Sequence, residues 1–149
     1  MPSAEPPDPQ FAERVKDSFS RQPFMTTLGA TMTRVEPGLV ELELPFRADL
    51  TQQHGFFHAG VTSSIADSAG GYAGYTLFPA NSSVLTVEFK INLIAPANGA
   101  KLRALGQVIR SGRTLTICDL RVFAHAGDHQ ALCATGQQTL ICLHGRSDH

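Results

Sequence analysis

Residues 52–77 read QQHGFFHAGVTSSIADSAGGYAGYTL. Within them Val61, Ile65, Ser68 and Ala69, Tyr72 and Thr76 recur at helical spacing, which predicts the one long helix over 61–77. Ser63, Gly70, Gly71 and Gly74 make the neighbouring face very small. A glycine inside a helix costs ~1 kcal/mol relative to alanine. Close approach to a wrapped sheet or to a partner helix is the simplest reason to keep three of them. An ionisable group, Asp67, sits in this otherwise apolar segment, and His54 and His58 precede it.

Outward from the helix, the chain reads as strands. On the N-terminal side, 28–36 and 39–46 are extended runs around Pro37-Gly38, and Val40, Leu42 and Leu44 alternate with Glu41 and Glu43. Such alternation marks a strand with one wet face, and Pro-Gly predicts a hairpin turn between the two. Residues 47–57 read as a loop. Further back, Phe11, Val15 and Phe19 predict a short amphipathic helix over 10–20, ended by Pro23. Residues 1–9, MPSAEPPDP, read as a disordered tail.

On the C-terminal side, extended runs at 83–95, 101–110, 114–124 and 130–143 are separated by PANG, SG and AGD. Short glycine-containing turns between long strands predict an antiparallel meander. The fold class is therefore α+β: one antiparallel sheet of about five or six strands against one long helix. Residues 10–146 read as a single domain.

Composition narrows the function. Apolar residues form 42% of the 149, enough for a core without disulfide staples. A formal charge of −1, from 12 basic and 13 acidic residues, argues against a nucleic-acid surface. Cys118, Cys133 and Cys142 are odd in number and fall in predicted strands, so small core thiols of a reduced, cytoplasmic protein are expected. No Cys/His cluster has zinc-ligand spacing. No basic start leads into an apolar stretch, and no run approaches the ~18 apolar residues of a membrane span.

The helix start carries the chemistry. If the helix begins near Gly60, its first N–H groups lack helical partners and carry partial positive charge. Such an end suits a developing oxyanion, and the small Ala59-Gly60 pair permits close approach. Asp67 lies about 10 Å further along the axis. That is too far to act on a substrate held at the same helix start. In a two-fold dimer with antiparallel helices, each start could lie beside the other subunit's Asp67. From position alone, Asp67 also fits an exposed carboxylate on a wet helix face. His54 and His58 also fit loop histidines with satisfied hydrogen bonds, and the glycines fit a packing role.

HAGVTSSIADSAGGYA, preceded by QQHGFF, resembles the signature of the PaaI-like hotdog-fold acyl-CoA thioesterases. TVEFKINLIAPANG at 86–99 is similar to the family's third strand, and VIRSGRTLTICDLRVF at 108–123 to the following strand pair. The match extends over about residues 25–143. It implies a hotdog fold, with the sheet wrapped around one central helix, and hydrolysis of acyl-CoA to free acid and CoA. Gln52 matches the amide near the thioester and water. His58 matches the motif histidine that shapes the site, and Ala59 the glycine whose N–H polarises the carbonyl. Gly60 matches the next glycine, Asp67 the catalytic carboxylate, acting as general base or nucleophile, and Thr86 a hydroxyl that helps hold the water. Alanine in place of the first glycine of His-Gly-Gly keeps the backbone donor. The form is most similar to the branch acting on medium- and long-chain acyl-CoAs (YigI-like), which ties the chain to fatty acid metabolism.

The resemblance further implies no metal and no cofactor, CoA being part of the substrate. It implies a homodimer with shared sites, extended to a homotetramer as a dimer of dimers, with no nucleic acid and no membrane insertion. Arg110, Arg113 and Lys90 are candidates for the CoA phosphates, with Arg103 a further one; all four also fit solvated strand-end charges. Phe56, Phe57, Tyr72, Tyr75, Leu77 and Phe78 are available to an acyl chain or to a core. Two other functions stay open: a hotdog dehydratase or hydratase of hydroxyacyl thioesters pairing His58 with Asp67, and a non-catalytic acyl-CoA-binding module.

Overall fold

The computed structural model describes residues 4–149. Helix α1 (Phe11–Ser20) is entered through Asp8, whose carboxylate accepts from Gln10 N–H at 2.9 Å and pairs with Arg14 at 3.0 Å. Asp8 is buried, so the end of the segment read as a disordered tail is instead fixed against the helix; residues 1–3 lie outside the described residues. Arg14 does the docking. Its guanidinium donates to the carbonyls of Tyr75, Phe78 and Pro79 and lies 4.3 Å from the centre of the Tyr75 ring. A cation at the last carbonyls of a helix is favourable by dipole and hydrogen bond alike.

Pro23 ends α1 as expected, but it also opens a second short helix, α2 (Pro23–Leu28). Proline suits a first helical position because that N–H needs no partner. Gly29 closes α2 at φ 80°, so strand β1 begins at Thr31 rather than at Leu28. Strands β1 (Thr31–Glu36) and β2 (Leu39–Pro45) form the predicted hairpin. A single 3-10 turn, Ala48–Leu50, precedes the central helix α3 (Ala59–Tyr75). Strands β3 (Ser82–Leu93), β4 (Lys101–Ser111), β5 (Leu115–Ala126) and β6 (His129–His144) complete one antiparallel sheet.

The strand order is β1-β2-β4-β5-β6-β3. The expectation of a four-strand meander is corrected here: β4, β5 and β6 form one, while β3 stands at the far edge beside β6. The connection from β3 to β4 runs across the end of the sheet. Ile94 N–H donates to Cys133 carbonyl in β6, and Ala100 N–H to His125 carbonyl in β5. Gly99, at φ 154°, lies so close to His125 carbonyl that a Cβ would overlap it.

The sheet wraps α3, which is the hotdog arrangement. Ile65, Ala66, Ala69 and Ala73 of the helix are fully buried against Leu42, Leu102, Leu120 and Leu140. Each such leucine contributes about 1.5–3 kcal/mol of burial. A Cβ at Gly70 would overlap Gln138, one at Gly74 Leu140, and one at Gly106 the α3 backbone at Ala69. The small residues thus let the sheet close on the helix. Among the described residues, no helix is long and apolar enough to cross a membrane.

Candidate functional site

His58 has extended backbone angles and caps α3: its Nδ1 accepts from Gly60 N–H at 2.8 Å, and its carbonyl from Val61 and Thr62. The histidine therefore takes up the Gly60 donor. Ala59 N–H, one residue earlier, donates to no described residue. Ala59 has an ordinary helical backbone, since no non-glycine residue among those described has positive φ. Its alanine side chain therefore introduces no strain.

Gln52 shapes the loop that leads to this end. Its Oε1 accepts from His54 N–H at 2.6 Å and from Phe56 N–H at 3.3 Å, and its own N–H donates to Phe56 carbonyl. Gln52 and Ala59 line one cleft of 390 Å³ with Phe56, Phe57, Leu93 and Ala97. The walls of this cleft are mostly apolar.

Asp67 stands elsewhere. It is partly exposed, on the face of α3 toward β3 and β6. Thr86 Oγ1 donates to its Oδ1 at 2.7 Å. Gln138 Nε2, from β6, reaches the same oxygen at 2.5 Å, the Asp67 carbonyl at 3.0 Å and Thr86 Oγ1 at 3.2 Å. No described residue donates to Oδ2. Asp67 and Thr86 line a second cleft of 330 Å³, with Ser18, Gln22, Ser68, Gly71, Tyr72 and Asp148 among its walls.

This second cleft is more polar. Ser18 and Tyr72 hydroxyls lie 3.2 Å apart, and Ser68 donates to Gln22. Burial pushes the Tyr72 phenol above its ordinary value. Burial opposes ionisation of Asp148, but hydrogen bonds from Ser18, Arg21 and Ser83 and the Arg21 charge hold its carboxyl below the ordinary range.

The predicted site residues thus fall into two groups. Gln52, His58, Ala59 and Gly60 gather at the start of α3, and Asp67 and Thr86 gather midway along it. Asp67 lies eight positions after Ala59, about 12 Å along the helix. One chain does not bring the groups together. Gln138 was missed, because its run in β6, TGQQTL, offers no local cue; only the register that sets it beneath Gly70 reveals it. His54 is exposed, and its side chain forms no hydrogen bond with a described residue.

Of the cation candidates, Arg103 pairs with Glu41 at 2.8 Å and lies over the Phe123 ring, which makes it a structural residue. Lys90, Arg110 and Arg113 are exposed and form no ion pair with a described residue. The β4–β5 turn holding Arg113 is tied to β6, because Cys142 N–H donates to Thr114 carbonyl. Cys142 in turn faces Val84, a wall of the Asp67 cleft. Tyr75 and Phe78 are core residues packed on one another and on Arg14, so they are not available to an acyl chain; Leu77 lines a separate recess beside Gly38. No three His, Cys, Asp or Glu side chains among the described residues stand close enough to hold a metal ion.

A family model described as Thioesterase superfamily matches residues 54–129. The proofreading thioesterase EntH of Klebsiella pneumoniae is 26% identical over 124 residues, which cover 83% of this chain and 90% of EntH. The crystal structure of a thioesterase family protein from Silicibacter pomeroyi is 45% identical, with 91% of this chain and 99% of that chain covered and a TM-score of 0.89. The PaaI protein of E. coli, from the phenylacetic acid degradation operon, has a TM-score of 0.82 over 92% of this chain and 96% of its own. At 17% identity that likeness concerns the fold alone.

Proposed function

The chain belongs to the thioesterase superfamily, and from that premise we propose that this thioester hydrolase acts on acyl-CoA, with Asp67 as its catalytic carboxylate. The observation that carries the reading is the split site. A free amide, Ala59 N–H, lies at the start of α3, and a carboxylate with one unoccupied oxygen lies about 12 Å along it. Two copies with antiparallel central helices place each amide beside the other's Asp67. The β3 edge supports that pairing: Leu85, Val87, Phe89 and Leu93 are exposed on an edge strand whose outer side has no partner strand. A tetramer as a dimer of such dimers extends the same reading.

In this scheme the thioester carbonyl accepts from Ala59 N–H, and the neighbouring Gln52 amide orients the thioester and the water. Asp67 Oδ2 takes the proton of a water as its oxygen bonds to the carbonyl carbon. The tetrahedral oxyanion is held by the amide. The C–S bond then breaks, and CoA leaves with the proton that Asp67 holds. Direct attack by Oδ2, followed by hydrolysis of the anhydride, gives the same products. No further reactant is required. Arg110 and Arg113, exposed and without ion pairs among the described residues, are candidates for the CoA phosphates, with Lys90 a third on β3. The apolar walls Phe56, Phe57 and Leu93 suit medium- to long-chain acyl tails.

The dehydratase reading is weaker, because His58 Nδ1 already accepts from Gly60 and is not free to move a proton on substrate. The test is Asp67→Ala with release of free thiol followed on acyl-CoAs of graded length. Turnover is expected to vanish while binding of the thioester persists by calorimetry. Unchanged turnover removes the proposal. Hydration of crotonyl-CoA without thiol release would replace it with the dehydratase reading.

A further inference from the structure

Gln138 is 1% exposed, a polar side chain in the interface between β6 and the central helix. Burying an amide without partners costs about 1–3 kcal/mol. Its Nε2 is fully engaged with Asp67 and Thr86, but its Oε1 has no partner. The carbonyl end lies against Gly70, where any Cβ would overlap it. An apolar residue of similar volume would fill this place without the orphaned oxygen. The amide is kept at a cost, and its hydrogen bonds all go to Asp67 and to Thr86, which itself bonds the Asp67 carboxylate.

The orientation is informative. Nε2 donates, so the group it faces must accept. Turned over, the amide would set Oε1 against Asp67 Oδ1, two acceptors in contact. Thr86 Oγ1 gives its proton to the same Oδ1. Two donors from two strands, β3 and β6, therefore fix one carboxylate oxygen, and Nε2 also ties the side chain to the Asp67 carbonyl. The torsion of Asp67 is settled by these bonds. The other oxygen, Oδ2, is what remains to face the cleft.

We propose that Gln138 is a positioning residue: with Thr86 it clamps Asp67 Oδ1 so that Oδ2 alone is presented to the reacting carbonyl or water. This rests on the reading of Asp67 as the catalytic carboxylate. Gln138 touches no substrate in this arrangement. It acts on the step in which Asp67 takes part and leaves the binding of the thioester unchanged.

The variants are Gln138→Leu and Gln138→Met, which keep the bulk and delete the donor, beside Thr86→Val and the double variant. Whichever Gln138 variant melts cooperatively is assayed on the CoA thioester that the wild-type protein hydrolyses fastest. The expected result is a fall in kcat of about 10- to 100-fold with KM within about twofold, because a misplaced catalytic group slows the chemical step selectively. The double variant is expected to lose much less than the product of the single losses, since both bonds hold one oxygen. Wild-type kcat in a folded Gln138 variant overturns the proposal. So does a loss that appears only in KM, or one that multiplies independently with Thr86→Val. Asp67→Asn is the separating control. If it retains turnover, the reading of Asp67 itself fails; if it is inactive while Gln138→Leu is not, only the clamp fails.

Discussion

Cys118 and Cys133 point into the core from β5 and β6, each sulfur directed at a backbone carbonyl: Gly70 at 3.5 Å and Val122 at 3.3 Å. Burial pushes the Cys118 thiol up to about 12 and the Cys133 thiol up to about 11. An unfolded thiol ionises near 8.5. The stabilising difference is therefore fully present below about pH 8.5. It is lost as pH rises toward the folded values, because the unfolded chain releases protons that the folded chain retains. Urea midpoints are expected to fall between about pH 9 and 11, and to fall less steeply in Cys118→Ala. At pH 8 a thiol reagent is expected to label the native chain far more slowly than the urea-unfolded chain. Rapid labelling of all three cysteines in the native state would contradict the burial seen here.

The central helix is where sequence and packing meet most closely. Gly70 faces Gln138 and Leu120, whereas a Cβ at Gly71 meets nothing within 4 Å. Gly70→Ala is therefore expected to destabilise by about 1–3 kcal/mol through overpacking. Gly71→Ala is expected to gain up to about 1 kcal/mol of helix propensity, and any loss of activity would come from the cleft it lines. Thermal melts of the two variants check the opposite signs. The helix was legible because its apolar spacing and small face are local signals, and so were the β1–β2 hairpin and the strand spans. The place of β3 was not, because the residues after Leu93 carry turn signals that read as a hairpin while their backbone bonds join distant strands. Pairing across the sheet is a property of register, and the same reason hid Gln138. The candidate residues at the helix start and Asp67 were singled out by the resemblance of their motif to a known family, while spacing alone left them open to structural roles. The clamp on Asp67 needed strands β3 and β6 to be neighbours.

At the scale of the whole molecule, the proposed shared site depends on the edge formed by β3, where a second copy would have to pair. Its bulge between Thr86 and Glu88 leaves Val87 out of the ladder to β6. Val87 is 56% exposed and Leu85 57% exposed, on a strand whose outer hydrogen-bonding groups have no partner strand. An isolated chain commonly guards such an edge with charge, and a lysine there opposes pairing with another copy. Val87→Lys lies outside the helix–sheet core, so the monomer is expected to fold with a circular dichroism spectrum like that of the wild type. Its sedimentation coefficient is expected to be that of a single chain, and that of the wild type to be that of a dimer or larger. Turnover is expected to fall more than tenfold with the loss of association, since an amide at one helix start then has no carboxylate within reach. A monomeric Val87→Lys protein with wild-type turnover would show that one chain completes the site alone, and the shared arrangement would have to be given up.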